Sequence, residues 1–243
     1  MSMAEERTDG QAAPGGAPAL LACSHGTSSA AGRAAVAALV DAVRSRVPHV
    51  HVEDSFVDVQ QPDVPTSLAG LGERPVRIVP LLLSAGYHVH VDLAEAAERR
   101  RGVELAGALG PDRRLVEVLA RRLDEAGLAG TDRVVLAAAG SSDARAVEDC
   151  ERTAAMLAEM LRRPVSTGYI SAARPPLAEA VAAARQGAGE GGRVVVATYL
   201  LAPGYFADLA AGSGADVVTA PLLSAAGEPP AELVEIVLDR YGA

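Results

Sequence analysis

Leu21-Ala-Cys-Ser-His-Gly-Thr-Ser28 and Leu136-Ala-Ala-Ala-Gly-Ser-Ser142 render one pattern twice: a small apolar run that ends at a glycine and a cluster of hydroxyls. Gly26 falls over Gly140 and His25 over Ala139. A second pair of stretches, residues 77–88 and 193–206, matches Gly86-Tyr87-His88 with Gly204-Tyr205-Phe206. One doubling at this length points to two fused homologous halves rather than an array of short repeats. Both histidines have lost their counterparts in the second half. All five histidines, His25, His49, His51, His88 and His90, in fact lie in the first 90 residues. A duplicated scaffold with imidazoles in one half alone implies a single chemical site.

Apolar runs at 19–23, 50–57, 76–83 and 103–108 read as strands, with helical periodicity at 29–46, 64–72, 91–101 and 112–126. The second half repeats the alternation, with strands at 133–139, 165–170, 193–201 and 215–219 and helices at 142–162, 175–187, 204–212 and 229–241. Continuous runs such as Val194-Val195-Val196 suit parallel strands covered on both faces. The predicted fold class is therefore α/β, two homologous doubly wound parallel-sheet halves with the active-site cleft between them. The halves are expected at 18–127, carrying the histidines, and 132–243, lacking them. Gly127 to Asp132 interrupts both periods and serves as the link. Residues 1–17, polar and rich in Gly, Pro and Ala, read as a disordered extension rather than a secretory signal.

The chain of 243 residues has net charge −9 and seven aromatic residues, two Phe and five Tyr with no Trp. Nucleic-acid binding, which needs a basic face and stacking platforms, is therefore not expected. No apolar run approaches the roughly 20 residues of a membrane span. Cys23 and Cys150 are far apart and form no CxxC pair, so they read as reduced thiols of a soluble, cytoplasmic protein. Cys150 shares a helical face with Val147, Ala154, Leu157 and Leu161, which assigns it to the core.

Ligands of such sheets bind beyond the carboxyl ends of the strands, where strand order reverses. His25 follows the first strand and His88 the third, so both are expected on the same edge of one half-sheet. Gly26 permits close backbone approach there, and Ser28 or Ser29 can cap the next helix. A neutral imidazole beside a helix N-terminus suits metal ligation or proton acceptance. Asp58, in Phe56-Val57-Asp58-Val59, sits at the end of the second strand, either at the rim or as a solvated carboxylate. His90, two residues beyond His88, is expected on another side. Asp92 is a candidate helix cap or outer partner of a histidine. His49 and His51 belong to the opposite end of their strand and read as exposed and structural.

Taken together, His25-Gly26-Thr27, the segment Phe56-Val57-Asp58-Val59-Gln60-Gln61-Pro62, Gly86-Tyr87-His88 with Asp92-Leu93, and Leu109-Gly110-Pro111-Asp112 resemble the small tetrapyrrole metal chelatases of the sirohydrochlorin chelatase family. The likeness spans about residues 19–240, since long members contain two such halves. Asp58 stands where Glu is common, shortening that carboxylate by one methylene. The His-rich or cysteine-rich tail of some members is missing.

The resemblance implies insertion of Fe²⁺ or Co²⁺, with Ni²⁺ also compatible, into sirohydrochlorin in sirohaem or cobalamin synthesis. The metal would be a substrate, and no permanently bound cofactor is implied. His25 and His88 would hold the metal or take pyrrole protons, assisted by Asp58. Imidazoles suit these ions, and few protein ligands leave positions open for the macrocycle nitrogens. Gly26, Thr27, Ser28, Gly86 and Tyr87 would line the macrocycle. Arg145 and Arg174, with Arg33, would meet its carboxylates, and Ala139 and Phe206 would form the facing wall. An internal pseudo-dimer would let the chain act as a monomer.

Two other readings stand beside this one. A carrier would bind metal or tetrapyrrole in the same cleft without turnover. Ser-His-Gly-Thr also resembles the Arg-His-Gly-x-Thr motif of phosphoglycerate-mutase-like phosphatases, but Ser24 replaces the phosphate-holding arginine.

Overall fold

The computed structural model describes residues 16–86, 88–189 and 191–243, with the backbone alone at 88–90. The expected N-terminal extension thus lies almost wholly outside the described residues, as does Tyr87.

The first half contains β1 (Ala19–Ser24), α1 (Ala30–Arg46), β2 (Val52–Phe56), α2 (Val64–Gly70) and β3 (Val76–Pro80). A π-helical turn, His88–Leu93, leads into α3 (Ala94–Glu98), then β4 (Val103–Leu105) and α4 (Arg113–Glu125). The second half contains β5 (Arg133–Ala138), α5 (Ala144–Leu161), β6 (Val165–Tyr169) and α6 (Leu177–Gln186). It ends with β7 (Val194–Tyr199), α7 (Tyr205–Ala211), β8 (Val217–Val218) and α8 (Ala231–Tyr241). The strands form two four-stranded parallel sheets, ordered β2-β1-β3-β4 and β6-β5-β7-β8. In each sheet the order reverses between the first strand and the third.

Alternation along β1 explains why its residues are apolar without interruption. Leu20 and Ala22 face a core shared by both halves, whereas Ala19, Leu21 and Cys23 pack against α2 and Leu93 on the outer side. Val134 and Leu136 likewise enter the shared core, and Val135 and Ala137 face α6 and Ala210. Between the sheets lie the buried faces of α1, α4, α5 and α8. Their ends are fixed in the ordinary way: Ser29 caps α1 by accepting the Gly32 N–H at 3.2 Å, and Asp143 caps α5 by accepting the Arg145 N–H at 3.0 Å.

The last helix of each half packs on the sheet of the other. Helix α4 lies against β7 and α5, and α8 against β3 and α1. Arg77 donates to the carbonyl of Arg240 at 2.8 Å, Arg240 to that of Ala108 at 2.8 Å, and the Tyr241 hydroxyl to that of Pro18 at 2.6 Å. The interruption at 127–132 therefore marks the repeat in sequence, while the largest core draws on both sides of it.

Asp132 anchors that link. Its side chain, 2% exposed, accepts from Arg193 at 2.6 and 3.2 Å and from the Ala129 N–H at 2.8 Å. The Arg193 hydrogen bonds hold its carboxyl down at about 2. A carboxyl with its folded pKa depressed contributes stability above the unfolded value of 3.8, lost as the pH falls toward 2. Asp132→Asn is accordingly expected to cost roughly 1–2 kcal/mol at pH 6, and the gap from wild type should close between pH 4 and 2. Urea midpoints at both ends of that range check this, and a gap that stays constant would count against the ion pair.

Candidate functional site

Beyond Ser24 the ladder between β1 and β2 continues for two more bonds. Val57 N–H donates to Ser24 O at 2.9 Å and Asp58 N–H to His25 O at 3.0 Å, which lays the Asp58 loop beside the His25 turn. The two backbones approach so closely that a Cβ on Gly26 would lie 2.2 Å from the Asp58 carbonyl oxygen, and Gly26 has φ +92°. Glycine is required there for space as well as for conformation. Thr27 N–H donates to Gln60 Oε1 at 2.8 Å, and the Thr27 hydroxyl accepts from Ser29 N–H at 3.1 Å. The turn that presents His25 is thus tied on both sides, and His25 itself is exposed.

The second half repeats this backbone with different side chains. Ile170 N–H donates to Ala138 O at 3.0 Å and Ser171 N–H to Ala139 O at 2.9 Å. A Cβ on Gly140, φ +90°, would lie 1.8 Å from Ser171 O. Val59 and Ala172 occupy the same left-handed position, at φ 61° and 55°. Ala139, Ser171 and Ala173 hence stand where the first half has His25, Asp58 and Gln60.

The two turns face each other across a cleft of about 730 Å³. One wall is Ser24 to Ser28 with Val59, Gln60 and Leu81 to Ser84. The other is Ala138 to Ser142 with Ser171, Ala172 and Leu200 to Ala207. Tyr205 and Phe206, with ring centroids 6.0 Å apart, give the second wall an exposed apolar surface. Cys150 lies at the cleft, but burial pushes its thiol up to about 12, as it does that of Cys23. Both are neutral thiols near pH 7, and Cys150 belongs to the core as expected.

Several sequence expectations change in detail. Strand β3 ends at Pro80, not 83, although Leu81 N–H still donates to Cys23 O at 2.7 Å. The helix expected from 91 begins at His88, as a π-helical turn that contains His90 and Asp92, so Asp92 is inside the helix and not its cap. Asp58 lies two residues beyond β2. Its carboxylate accepts its own loop's Val59 N–H at 2.7 Å, and Val59 and Gln60 line the cleft in its place. Thr27, Ser28 and Gly86 line the cleft as expected.

None of the three arginines singled out in the sequence is part of the cleft lining. Arg145 is held by Asp143 at 2.8 and 3.1 Å, Arg174 stands 4.0 Å from Glu179, and Arg33 donates to Ser28 O at 2.8 Å. His49 and His51 are exposed at the far end of the sheet, His51 being 2.6 Å from Glu53. Ser141 and Ser142, in the turn that repeats Gly26-Thr27-Ser28, line the cleft, and Gln60, assigned no role from the sequence, does so as well. Gln60 could have been found from its replacement by Ala173 in the repeat.

A duplicated parallel α/β scaffold with a cleft at the strand ends, and with His25 on one wall facing Ala139 on the other, defines a chelatase-type protein of the two-half kind. SirB from Bacillus subtilis with Fe³⁺ shares this fold at TM-score 0.77 and 21% identity, covering 92% of this chain and 94% of that one. SirB from Bacillus subtilis subspecies spizizenii in complex with cobalt does so at TM-score 0.70 and 21% identity, covering 93% and 94%. The chain belongs to the CbiX family, whose model matches residues 19–126 and 133–227. A sirohydrochlorin cobaltochelatase from Sulfurisphaera tokodaii is 34% identical over 79 residues, covering 30% of this chain and 66% of that protein. The chain thus spans about two thirds of the length of that relative.

Proposed function

We propose that this chain inserts a divalent metal, Fe²⁺ or Co²⁺, into sirohydrochlorin, serving sirohaem or cobalamin synthesis. The observation that carries the reading is the asymmetry of the cleft. One wall carries the His25 turn and Gly86, two residues before His88, and the other carries Ala139 and Phe206, which match His25 and His88 in the repeat. A macrocycle seated between them has its metal-inserting chemistry on one face and an apolar wall on the other.

On this reading His25 and His88 hold the incoming ion or take the two pyrrole protons. Imidazole binds these ions well and releases them to nitrogen ligands without a redox step. Asp58, whose carboxylate caps its own loop, accepts a proton at the rim. Gly26, Thr27, Ser28, Gly86 and Tyr87 contact the macrocycle. Its carboxylates extend past Ser141, Ser142 and Ala172 toward Arg145 and Arg174, which follow those residues in the chain. Because the second half already provides the facing wall, the chain acts as a monomer. The buried, unpaired thiols fit a reducing compartment, the cytoplasm. Among the described residues no helix is long and apolar enough to cross a membrane.

The test is the anaerobic absorbance change of sirohydrochlorin with Co²⁺ or Fe²⁺, with catalytic amounts of protein, compared with spontaneous insertion. Acceleration with many turnovers is expected, and the faster ion identifies the preferred metal. A spectrum that shifts in proportion to added protein, with no acceleration, would replace the enzyme by a carrier.

A further inference from the structure

The second half lacks the histidines, yet it makes polar contacts to the loop that leads to one of them. Between β3 and the π-helical turn, residues 81–86 run along the C-terminal edge of the first sheet. Asp149 of α5, 8% exposed, accepts the Ala85 N–H through Oδ2 at 3.0 Å. The Tyr199 hydroxyl at the end of β7 donates to Leu83 O at 2.9 Å. Gly86 rests on Ser141 and Ala146, and a Cβ there would lie 3.3 Å from Ser141 Oγ.

The repeat supplies an internal control. The matching loop of the second half, Leu201-Ala202-Pro203-Gly204, faces α1, where Ala35 occupies the position of Asp149 and Leu81 that of Tyr199. Pro203 replaces Ala85 and has no N–H to offer. Its carbonyl instead packs against Gly32, where a Cβ would come within 2.3 Å. The polar clamp therefore runs one way, from the half without histidines onto the loop that enters His88. A buried carboxylate on a single backbone N–H is a costly group to retain for packing alone. Its other oxygen accepts a longer bond from Arg152, at 3.4 Å.

We infer that Asp149 is a positioning residue for metal delivery: by fixing Ala85 from the second half, it anchors the loop that precedes His88. The inference rests on the proposed role of His88. It also gives the second half a purpose beyond walling the cleft, since it templates the loop of the first.

The test combines kinetics with a double-mutant cycle. Asp149→Ala should raise the KM for Co²⁺ by about tenfold or more, as loss of the group that orients a metal ligand does. The KM for sirohydrochlorin should stay within a factor of about two. Asp149→Asn, whose amide oxygen still accepts from Ala85, should restore most of the loss. In a His88→Ala background the Asp149→Ala change should add nothing.

A merely structural role would move both KM values along with the thermal midpoint, and would persist without His88. That result overturns the inference. So does an Ala85 amide in the wild-type protein that exchanges as fast as an unprotected peptide, a measurement that needs no variant to fold. If His88→Ala itself inserts metal at the wild-type rate, the reading of the site falls. If His88→Ala is impaired while Asp149→Ala is not, only the clamp falls.

Discussion

His25→Ala should lower the insertion rate by about 100-fold or more, the usual cost of removing a positioned proton acceptor, while leaving the urea midpoint within experimental error of wild type. The separation of the two effects follows from the backbone. The loop contact at His25 uses its carbonyl oxygen, which accepts from Asp58 N–H at 3.0 Å whatever side chain the residue bears. The turn is held independently by Gln60 on the Thr27 N–H at 2.8 Å. The imidazole is exposed, so its removal leaves no cavity in the core. Measurement is by multiple-turnover insertion of Co²⁺ into sirohydrochlorin, with His49→Ala as a control that should behave as wild type. If His25→Ala turned over normally, the imidazole would have no part in the chemistry. A comparable loss in His49→Ala would move the site to the opposite end of the sheet.

Gly140→Ala is expected to destabilise the protein by about 3 kcal/mol or more, a large share of the roughly 5–15 kcal/mol that holds a typical domain. At φ +90° an alanine is strained by about 1–2 kcal/mol before it meets anything. Its Cβ would then lie 1.8 Å from Ser171 O and 2.9 Å from Ser171 C, both of them backbone. Relief requires the β6 loop to swing away. That breaks the bonds from Ile170 and Ser171 to Ala138 and Ala139, at about 1 kcal/mol each. A fall in the urea midpoint with the slope unchanged is the expected result. An unshifted midpoint would mean that the loop moves freely and that its bonds to Ala138 and Ala139 hold little. Gly26→Ala should act in the same direction.

The sequence made the doubling legible because its signals are local. Small residues around Gly26 and Gly140 mark turns that only glycine can make, and uninterrupted Val runs mark strands with two buried faces. His25 could be placed at a strand end for the same reason. What was hidden is non-local. The apolar face of α4, built from Leu115, Val116, Val118, Leu119 and Leu123, shows that the helix is covered. Periodicity cannot say by which sheet, and the exchange of α4 and α8 is therefore absent from any reading of the chain.

The same limit applies to charges. Arg145 reads as a lone cation in the sequence, where nothing says that Asp143, two residues away, turns back to pair with it. Asp58 was legible as a strand-end carboxylate, but not its bond from Val59 N–H, which depends on how the loop turns back. Asp149 attracted no attention because its partner, Ala85, is a backbone group 64 positions away.

The exchanged helices impose an order in time on a growing chain. When β1, β2 and β3 have emerged from a ribosome, the helix that will lie on β3, α8, is more than 100 residues from being made. At rates of about 5–20 residues per second that interval lasts roughly ten seconds. Throughout it, α1 covers the inner side of the first sheet at β2, but the part at β3 lacks its helix. A release just short of α8 would leave a nearly complete polypeptide with the β3 side of its first sheet still uncovered. Messages truncated there should therefore yield a product that chaperones retain and proteases remove, although every residue of the cleft has already been translated.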